Sequence, residues 1–588
     1  MTDEEMTAEA REATALVDEG PTYSKDYWDL VGEQLRKRTL FKVGMAVLAV
    51  LYGLAIFAPL IGNDRPYKLV AVNYGEYESA ARGVERLSSN ALERIHETGS
   101  DLPERAQQSE REVTAALTRI ALMRQFLGSE DRESLDSFKE DLKGSYELAL
   151  VGEQADAETG SLPLQARARQ FATEFASAPL GSDPDAPGKH LQPSTRYPLA
   201  EGLGWGSVFF MVLWVLLSSF PLWNRIWNKS LEGDRERIRD ARGKKRAVLL
   251  GTPVAAALLW VTLVGGGAPA FDVSPFKRGL SDGSIVAFEA PVLPPVPIGY
   301  AETHKEEGFR PPTWLVGARL DSNGRYMQGL RVPKPDPITG YLPPATPVEV
   351  RFGEAWPNAP HRHLAGTDEL GRDFFVRLLW GGRVSLAVGI LSAVLLTLIG
   401  VFMGSLAGYF GGKVDVFIMR LIEILQSIPA FFLILAALAF IDPKEVSIPP
   451  IFIIVVVIAL VRWTGAARLV RGEFLRLREE EFVLAANALG FSNMRTIFRH
   501  VLPNALSPVL VNAAFAVASG ILTESAVSFL GFGVQHPEAS WGSLVNESKS
   551  PEFWWIQVFP GVLIFLTVTC YNLVGDAVRD ALDPKMKV

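Results

Sequence analysis

Eight long apolar runs dominate this sequence of 588 residues and limit what it can fold into. A bilayer core of about 30 Å needs about 20 apolar residues per helix, so each full-length run can form one membrane-spanning helix. The runs cover 43–61, 205–223, 247–264, 384–402, 416–441, 450–461, 505–523 and 554–573, of which the sixth is short. Pro429 predicts a kink in the fifth. The predicted fold class is an all-α polytopic membrane protein with about eight transmembrane helices.

The distribution of Lys and Arg predicts how the chain is oriented, because basic residues concentrate in cytoplasmic loops. Basic residues precede the first run, fill 224–246 and 465–504, and follow the last run. All four regions fit one topology with both termini in the cytoplasm. The first run follows an acidic leader and is nearly of full membrane length, which indicates an uncleaved signal anchor. The supporting residues include Arg36, Lys37, Arg38, Lys42, Arg225, Lys245, Arg471, Arg499, Arg579 and Lys585.

Two segments outside the membrane are long enough to carry structure of their own. Residues 62–203 contain pieces with helical apolar spacing (80–95, 110–126 and 134–150) and predict an external helical insertion. In the second piece, the apolar residues Val113, Leu117, Ile120, Ala121 and Met123 fall largely on one face. Residues 268–375 are rich in Pro and predict extended, loop-rich structure with a few strands, such as 348–352.

Composition and motifs exclude several classes of function. Cys570 is the single cysteine, so a disulfide framework is excluded. The net charge of −8 and the lack of a dense basic block argue against nucleic acid. No phosphate-cradling Gly-rich loop and no nucleophile-and-base set occurs, so no catalytic residue or cofactor is predicted. His361 and His363 offer too few ligands for a metal, and we expect an ordinary surface loop there.

The most informative polar segment is 481–504, which lies between two apolar runs. The small residues Ala485, Ala486 and Ala488 favour a short helix, and Gly490 permits the left-handed turn that ends it. Pro503 suits the first turn of the next helix. Two interpretations follow from these residues alone: a helical knob that docks on a partner, or an amphipathic loop on the lipid headgroups.

This segment resembles the "EAA" coupling loop of ABC importer permeases, which docks on a cytosolic ATPase. Ala485, Ala486, Gly490, Leu502 and Pro503 fall at the family's spacings. Leu484 stands where the family has Glu, and His500 where it has Ile.

Further motifs are similar to those of one branch, the C-type permeases of dipeptide and oligopeptide ABC transporters. The branch signature is found in Gly366, Thr367, Asp368, Gly371, Arg372 and Asp373, and Val376 replaces a Ser common there. The segments 528–535, 540–542 and 572–584 also resemble the family, in its order.

The resemblance implies a transport subunit rather than an enzyme, located in the bacterial inner membrane. Its implied partners are a second, B-type permease, two ABC ATPases and an external solute-binding protein, with a peptide-class substrate. Nickel and glycosides remain alternatives, because related permeases carry them. The family core of six spans would correspond to the first span and the last five.

The expected organisation therefore has six parts. They are a cytoplasmic tail (1–42), the first span (43–61), the external helical insertion (62–203), two extra spans with a basic cytoplasmic loop (204–267), the Pro-rich external segment (268–375) and the permease core (376–588) with its coupling loop at 465–504.

Charged residues inside apolar runs are costly and are therefore functional candidates. Arg420 and Glu423 are three residues apart, on one helix face, and can pair with each other. Glu524 lies near the outer end of the seventh span. In the signature, Asp368, Arg372 and Asp373 can form a cluster of ion pairs, with Asp373 as the N-cap of the following helix. Two roles are open for this cluster: it holds the local structure together, or it contacts the substrate.

The module at 43–223 has the plan of span, external domain, span. This plan fits a membrane sensor, or a scaffold that docks the binding protein or shields the partner permease. A stand-alone channel does not account for the coupling loop.

Overall fold

The computed structural model describes residues 27–73, 82–90, 110–124, 129–151, 166, 194–230, 235–264, 285–287, 290–304, 308–312, 330–331, 346–347, 363–441, 448–535 and 537–582. Within these residues, six helices are long and apolar enough to cross a membrane, or eight spans if two bent helix pairs each count as one. These correspond one to one with the eight apolar runs, which confirms the predicted fold class.

The first part of the chain supplies three candidate spans and the helices around them. In order these are α1 (Tyr27–Lys37), α2 (Thr39–Ile56), α3 (Ala58–Ile61), β1 (Leu69–Asn73), a helical stretch at 82–90, α4 (Glu110–Arg124), α5 (Ser129–Val151), β2 (Ser194–Arg196), α6 (Pro198–Glu201), α7 (Trp205–Ser218), α8 (Phe220–Ser230) and α9 (Arg235–Val264).

The remainder carries the other five candidate spans. It comprises β3 (Ile285–Ala287), β4 (Leu330–Arg331), β5 (Thr346–Pro347), α10 (Phe374–Phe410), α11 (Gly412–Ser427), α12 (Ala430–Phe440), α13 (Pro450–Leu477), α14 (Glu481–Ala488), α15 (Asn493–Thr496), a π-helical turn (Ile497–Val501), α16 (Leu502–Phe529), α17 (Trp541–Asn546), a 3₁₀ turn (Pro551–Phe553) and α18 (Trp554–Leu582).

Both bent pairs contain a break that the sequence accounts for only in part. Helices α11 and α12 meet at 83°, and Pro429 lies at the junction, where its ring cannot continue a helix. Helices α7 and α8 meet at 57° next to Ser219, within the run that predicts one span. The sequence gives no comparable signal there, because Pro221 falls in the first turn of α8, where proline is tolerated.

The basic segment 224–246, which the sequence places between the second and third runs, is largely helical. Helix α8 continues to Ser230 and α9 already begins at Arg235. Lys245 is buried, and its ammonium group donates to Asn224 Oδ1 over 2.8 Å and also to Asn228 Oδ1. These bonds to amide oxygens join the basic end of α9 to α8.

The chain divides into two compact units, and the second covers Gly53–Gly381 and Glu547–Ile556. In it, α4 and α5 pack together through Val113, Ala116, Ile120, Met123, Leu135, Phe138 and Leu142, all almost fully buried. The predicted apolar face was partly wrong. Ala121 is exposed and Leu117 half-buried, because the buried positions follow a spacing of three and four residues from Val113 that passes through Ala116.

A three-stranded antiparallel sheet in the second unit joins segments far apart in sequence. The central strand β1 pairs with β2 through Leu69↔Arg196 and with β3 through Ala71↔Ala287. The helical reading of 62–203 missed β1 and β2. In the Pro-rich segment β4 pairs with β5, as predicted for a segment with a few strands, whereas 348–352 lies outside the described residues.

The first unit covers Met1–Tyr52, Gly382–Asn546 and Gln557–Val588, and its centre is a close contact between α10 and α13. Three glycines of α10 (Gly400, Gly404 and Gly408) face α13. A Cβ on Gly404 would lie 2.5 Å from the carbonyl oxygen of Ala467, which is shorter than any normal contact. Glycine is therefore required there, since it lets the two backbones approach closely.

Candidate functional site

The segment after α13 forms a compact helical loop, made of α14, α15 and the π-helical turn, which we call the knob loop (481–501). Gly490 has a φ of +76° and ends α14. The amide of Phe491 donates to the carbonyl of Ala486 over 3.1 Å, and that of Gly490 to Asn487 over 3.0 Å. This pair of bonds is the Schellman arrangement, in which a left-handed glycine closes a helix end.

One face of the knob loop anchors it to the helices on either side. Val483 and Ala486 are buried, and Val483 packs in a cluster with Phe474 of α13 and Ile497 of the π-helical turn. The Ser492 hydroxyl accepts a hydrogen bond from the Arg495 amide over 3.4 Å and so caps α15. The loop is therefore a packed extension of α13 and α16, able to transmit a displacement to both.

Most of the rest of the knob loop is exposed, and its exposed surface includes several apolar side chains among polar ones. Between 40% and 73% of the surface of Phe482, Leu484, Leu489, Met494 and Phe498 is accessible. Ala485, Gly490 and Pro503 are also exposed, while Leu502 is half-buried. A Cβ on Gly490 would meet nothing within 4 Å. Several exposed apolar side chains within one short loop are typical of a surface that another protein covers.

A second feature is a buried ion cluster around the signature residues, which lies in the second unit. Asp368 is fully buried, and its Oδ2 accepts hydrogen bonds from Arg372 Nε (2.7 Å) and Arg377 Nη1 (2.5 Å). Glu547 lies on the other side of these guanidinium groups and pairs with both. Burial raises the pKa of the Glu547 carboxyl, whereas the neighbouring Arg377 opposes that rise.

The signature backbone is fixed by two glycines and by contacts with residues 304–310, which are distant in sequence. Gly366 and Gly371 have φ of +79° and +71°, and a Cβ on Gly371 would collide with the carbonyl of His304. Thr367 exchanges two hydrogen bonds with the backbone of Arg310, over 2.7 and 2.8 Å. Asp373 Oδ1 accepts from the Val376 amide over 2.8 Å, the N-cap contact that the sequence predicted.

The expectation of an ordinary surface loop around the two histidines was wrong for His363. Its ring is buried, and Nδ1 lies 2.8 Å from Asp373 Oδ2, so it belongs to the signature cluster. The sequence could not reveal this, because burial here depends on the fold of the whole signature. His361 lies outside the described residues, and within the described part of the chain no group of acidic, His and Cys side chains could hold a metal.

Glu524 is a buried carboxylate inside α16. Its Oε2 accepts from Ser385 Oγ over 2.9 Å and its Oε1 from Ser528 Oγ over 2.6 Å. Ser385 in turn accepts from the Trp541 amide over 3.0 Å. Glu524 therefore accepts hydrogen bonds from α10 and from its own helix, and Ser385 extends the network to α17.

Arg420 and Glu423 form an ion pair of 2.6 Å on α11, and both side chains are exposed on the surface of this chain. The pair is therefore not part of the packed interior that the described residues form.

A cavity of about 550 Å³ lies at the junction of α11 and α12, and sequence analysis missed it. Its walls come from α10, α13 and α16 as well as from the broken pair. Arg462 lines it, and the predicted short run 450–461 stops just before this residue. The structure extends that run, because α13 continues to Leu477 and places Arg462 in the interior of a helix that is a candidate span. A cationic residue that interrupts an apolar run was the available signal.

Comparisons with known proteins agree with this architecture. Residues 400–588 match the family described as the binding-protein-dependent transport system inner membrane component. Residues 26–80 match the N-terminal TM domain of oligopeptide transport permease C. The chain is 42% identical over 236 residues to the oligopeptide transport system permease protein OppC of Haemophilus influenzae, which covers 39% of this chain and 73% of that protein.

Two other relatives have similar coverage. The dipeptide transport system permease protein DppC of Bacillus subtilis is 39% identical over 228 residues, 38% of this chain and 69% of its own length. The glutathione transport system permease protein GsiD of Pectobacterium atrosepticum is 39% identical over 230 residues, 38% of this chain and 73% of its own length. Among solved structures, one of the MetNI methionine ABC transporter covers 36% of this chain and 97% of that chain, at 21% identity and a TM-score of 0.29.

The helical membrane fold and these matches define the class: a multi-pass permease subunit of a binding-protein-dependent transporter. The chain belongs to the family of C-type permease subunits of peptide ABC transporters.

Proposed function

We propose that this chain is one transmembrane subunit of an ATP-driven peptide importer and that the knob loop docks on a partner ATPase. The observation that carries this proposal is that the knob loop is anchored and yet exposed: Val483 packs with residues of α13 and α16, while Leu484, Leu489 and Phe498 are exposed apolar side chains. A loop that lies on lipid headgroups would not need so firm an attachment to two spans.

The mechanism follows from that attachment. When ATP binding closes the ATPase pair, the knob loop moves with its docking cleft and carries the ends of α13 and α16. Because α13 packs closely on α10 through Gly400, Gly404 and Gly408, the displacement reaches a third span. The spans then alternate between inward and outward access. ATP shifts this equilibrium only through its stronger binding to the closed ATPase pair. The permease itself makes and breaks no covalent bond.

The complete assembly that we propose contains a B-type permease, two ATPases and an external solute-binding protein. Relatives with curated names are oligopeptide, dipeptide and glutathione permeases, which supports a peptide-class substrate. No nucleotide site or cofactor is proposed for this chain, since hydrolysis would belong to the partner ATPases.

We further propose that both termini and the knob loop lie on the cytoplasmic side of the inner membrane. Arg38, directly before α2, forms an ion pair of 2.5 Å with Asp580 near the end of α18. This contact supports an even number of spans between them. The basic residues near both ends then favour the cytoplasm by the positive-inside rule.

Gly490 offers a direct test of the docking proposal. Gly490→Leu places a side chain on the exposed surface of the knob loop, where its Cβ meets no atom of this chain within 4 Å, so an effect beyond that of the backbone strain must come from a partner. Gly531→Leu is the matched control, because Gly531 also has a left-handed φ (+87°) and open space around its Cβ, but lies in a different loop. Both changes carry a similar backbone strain of about 1 kcal/mol.

We expect Gly490→Leu to insert normally and to lose co-purification with the ATPase, or ATP-driven peptide uptake, by at least about tenfold. Gly531→Leu is expected to retain both. Normal uptake by Gly490→Leu, or equal losses in the two variants, would contradict the docking proposal.

For the module at 43–223 we propose a docking scaffold in preference to a sensor. The favouring observation is the sheet, in which β1 pairs with strands from both external segments. In such a scaffold the sheet holds the two external segments together whether or not a solute is bound. Hydrogen exchange of 62–203 should therefore be unchanged by added solutes and should fall on addition of the solute-binding protein. Protection by solute alone would favour the sensor.

A further inference from the structure

The cavity at the junction of α11 and α12 contains an unusual charge. Arg462 lies twelve residues into α13, about 18 Å along the helix from its start. Its Nη1 donates to Thr523 Oγ1 over 2.9 Å and to the Ser519 hydroxyl. Both partners are neutral, and among the described residues no carboxylate lies within ion-pair distance of Arg462. An arginine inside a membrane span without a counter-ion is costly and points to a functional role.

The cavity walls contain polar groups but no negative charge. Gln426 and Thr464 bond to each other over 3.0 Å, and Asn512 completes the polar side. None of the residues that line the cavity is acidic. Leu396, Val461 and Phe515 supply an apolar side. A cavity of about 550 Å³ with an apolar wall and a few convergent polar groups has the size and character of a ligand site.

The broken helix adds to the positive potential. Ala430, the first residue of α12, lines the same cavity. The amino end of a helix carries partial positive charge, because its first N–H groups have no partner within the helix. The Arg462 guanidinium and the α12 amino end therefore favour the same kind of ligand, an anion with planar geometry such as a carboxylate.

We propose that this cavity is a substrate site in the translocation path and that Arg462 binds the C-terminal carboxylate of the transported peptide. The proposal rests on the proposed peptide-import function and adds to it a specific recognition site within this subunit. The guanidinium pairs with the carboxylate, and the apolar wall accommodates the adjacent side chain. Since arginine stays protonated, the site remains charged throughout the pH range in which the transporter works.

The test compares tri-alanine with tri-alanine amide, which differ in the terminal negative charge. Uptake of both labelled peptides is measured with the complete transporter, including its partner subunits and binding protein, reconstituted in liposomes. The variants are Arg462→Gln and Arg462→Lys. Arg579→Gln is the control, because it removes one exposed arginine from α18, outside the cavity. Each result is expressed relative to wild type, so that selection by the binding protein cancels.

We expect Arg462→Gln to lower the uptake of tri-alanine on the order of ten- to a hundredfold, as for loss of a charge-assisted pair, with less than about a twofold effect on the amide. Arg462→Lys should restore much of the difference between the two peptides. Arg579→Gln should behave as wild type. Gln426→Glu gives an independent test, because it adds a carboxylate of the same size to the cavity. It should selectively depress tri-alanine uptake even where Arg462→Gln fails to fold.

Equal losses of both peptides in Arg462→Gln and in Gln426→Glu would overturn the inference. Loss of assembly with the partner permease in Arg462→Gln, restored by lysine without any change in peptide preference, would also overturn it and would assign Arg462 to the subunit interface. Absence of ATP-dependent uptake by the wild-type complex would instead remove the proposed function, and the inference with it.

Discussion

Ser385 Oγ donates a hydrogen bond to Glu524 Oε2 over 2.9 Å, in a position where both side chains are fully buried. This bond connects α10 with α16 in the interior of the first unit. Ser528 donates to the other carboxylate oxygen, so the side chain satisfies two hydroxyl groups at once.

Replacing this carboxylate should therefore destabilise the membrane fold. Glu524→Ala leaves the Ser385 and Ser528 hydroxyls without their acceptor, at about 1–3 kcal/mol for each buried group. Glu524→Gln keeps the shape and one acceptor oxygen, so its cost should be smaller. Thermal unfolding of the purified complex in detergent measures the order wild type, Gln, Ala. Equal stability of the alanine variant would show that the network does not hold α10 to α16.

The buried ion cluster predicts a large effect of a single carboxylate. Asp368→Asn leaves the Arg372 and Arg377 guanidinium groups short of a counter-charge, and breaking a buried pair costs about 3–5 kcal/mol. Glu369→Gln is the control, because Glu369 is adjacent in sequence but exposed. Expression level and melting temperature of the two variants report the difference. Similar behaviour of both variants would contradict a structural role for Asp368.

The contact between α10 and α13 predicts opposite results for two glycine substitutions. Gly404→Ala places a Cβ 2.5 Å from the Ala467 carbonyl and 2.7 Å from Val470 Cβ, and such overpacking costs about 1–3 kcal/mol. Gly472→Ala, on α13, meets nothing within 4 Å and should be neutral or stabilising, since alanine favours helix by about 1 kcal/mol. Detergent melting curves distinguish the two. A neutral result at position 404 would mean that the helices separate readily.

The helical pair α4 and α5 predicts a pH dependence. Arg124 hydrogen-bonds Asp136 over 2.9 Å, and this contact holds the pKa of the Asp136 carboxyl below its usual value of 3.8. A carboxyl whose folded pKa is lowered contributes stability above its unfolded pKa and loses it as the pH falls through the folded value. Protection of 110–151 from hydrogen exchange, corrected for the intrinsic rate, should therefore decrease slightly below about pH 4. Asp136→Asn should abolish that decrease. An unchanged profile in Asp136→Asn would exclude this ion pair as the cause.

Hydropathy alone located all eight candidate spans, because the bilayer imposes a length on every apolar helix. Their ends were less predictable. The run at 450–461 was cut short at Arg462, although α13 continues to Leu477. In the sequence, a charged residue such as Arg462 is hard to distinguish from the end of a membrane helix. In the structure, Ser519 and Thr523 of α16 accept hydrogen bonds from Arg462.

The features that the sequence did not predict depend on contacts between distant residues. Strand β1 is five residues long and finds its partners at Ser194 and Ile285, so local periodicity gave little signal. The burial of His363 depends on Asp373 and on the fold of the signature. The knob loop, by contrast, was predictable in outline, because alanine, Gly490 and Pro503 each specify local backbone conformation without help from the rest of the chain.

Strands β1 and β2 are antiparallel neighbours, with Ala71 opposite Ser194, so residues 74–193 leave the sheet and return to it at adjacent points. A chain excursion with such closely spaced ends can be shortened, lengthened or exchanged without moving the strands that hold it. The sheet thus offers an insertion point for accessory domains: grafting a different domain between Asn73 and Ser194 should give a subunit that still inserts and assembles.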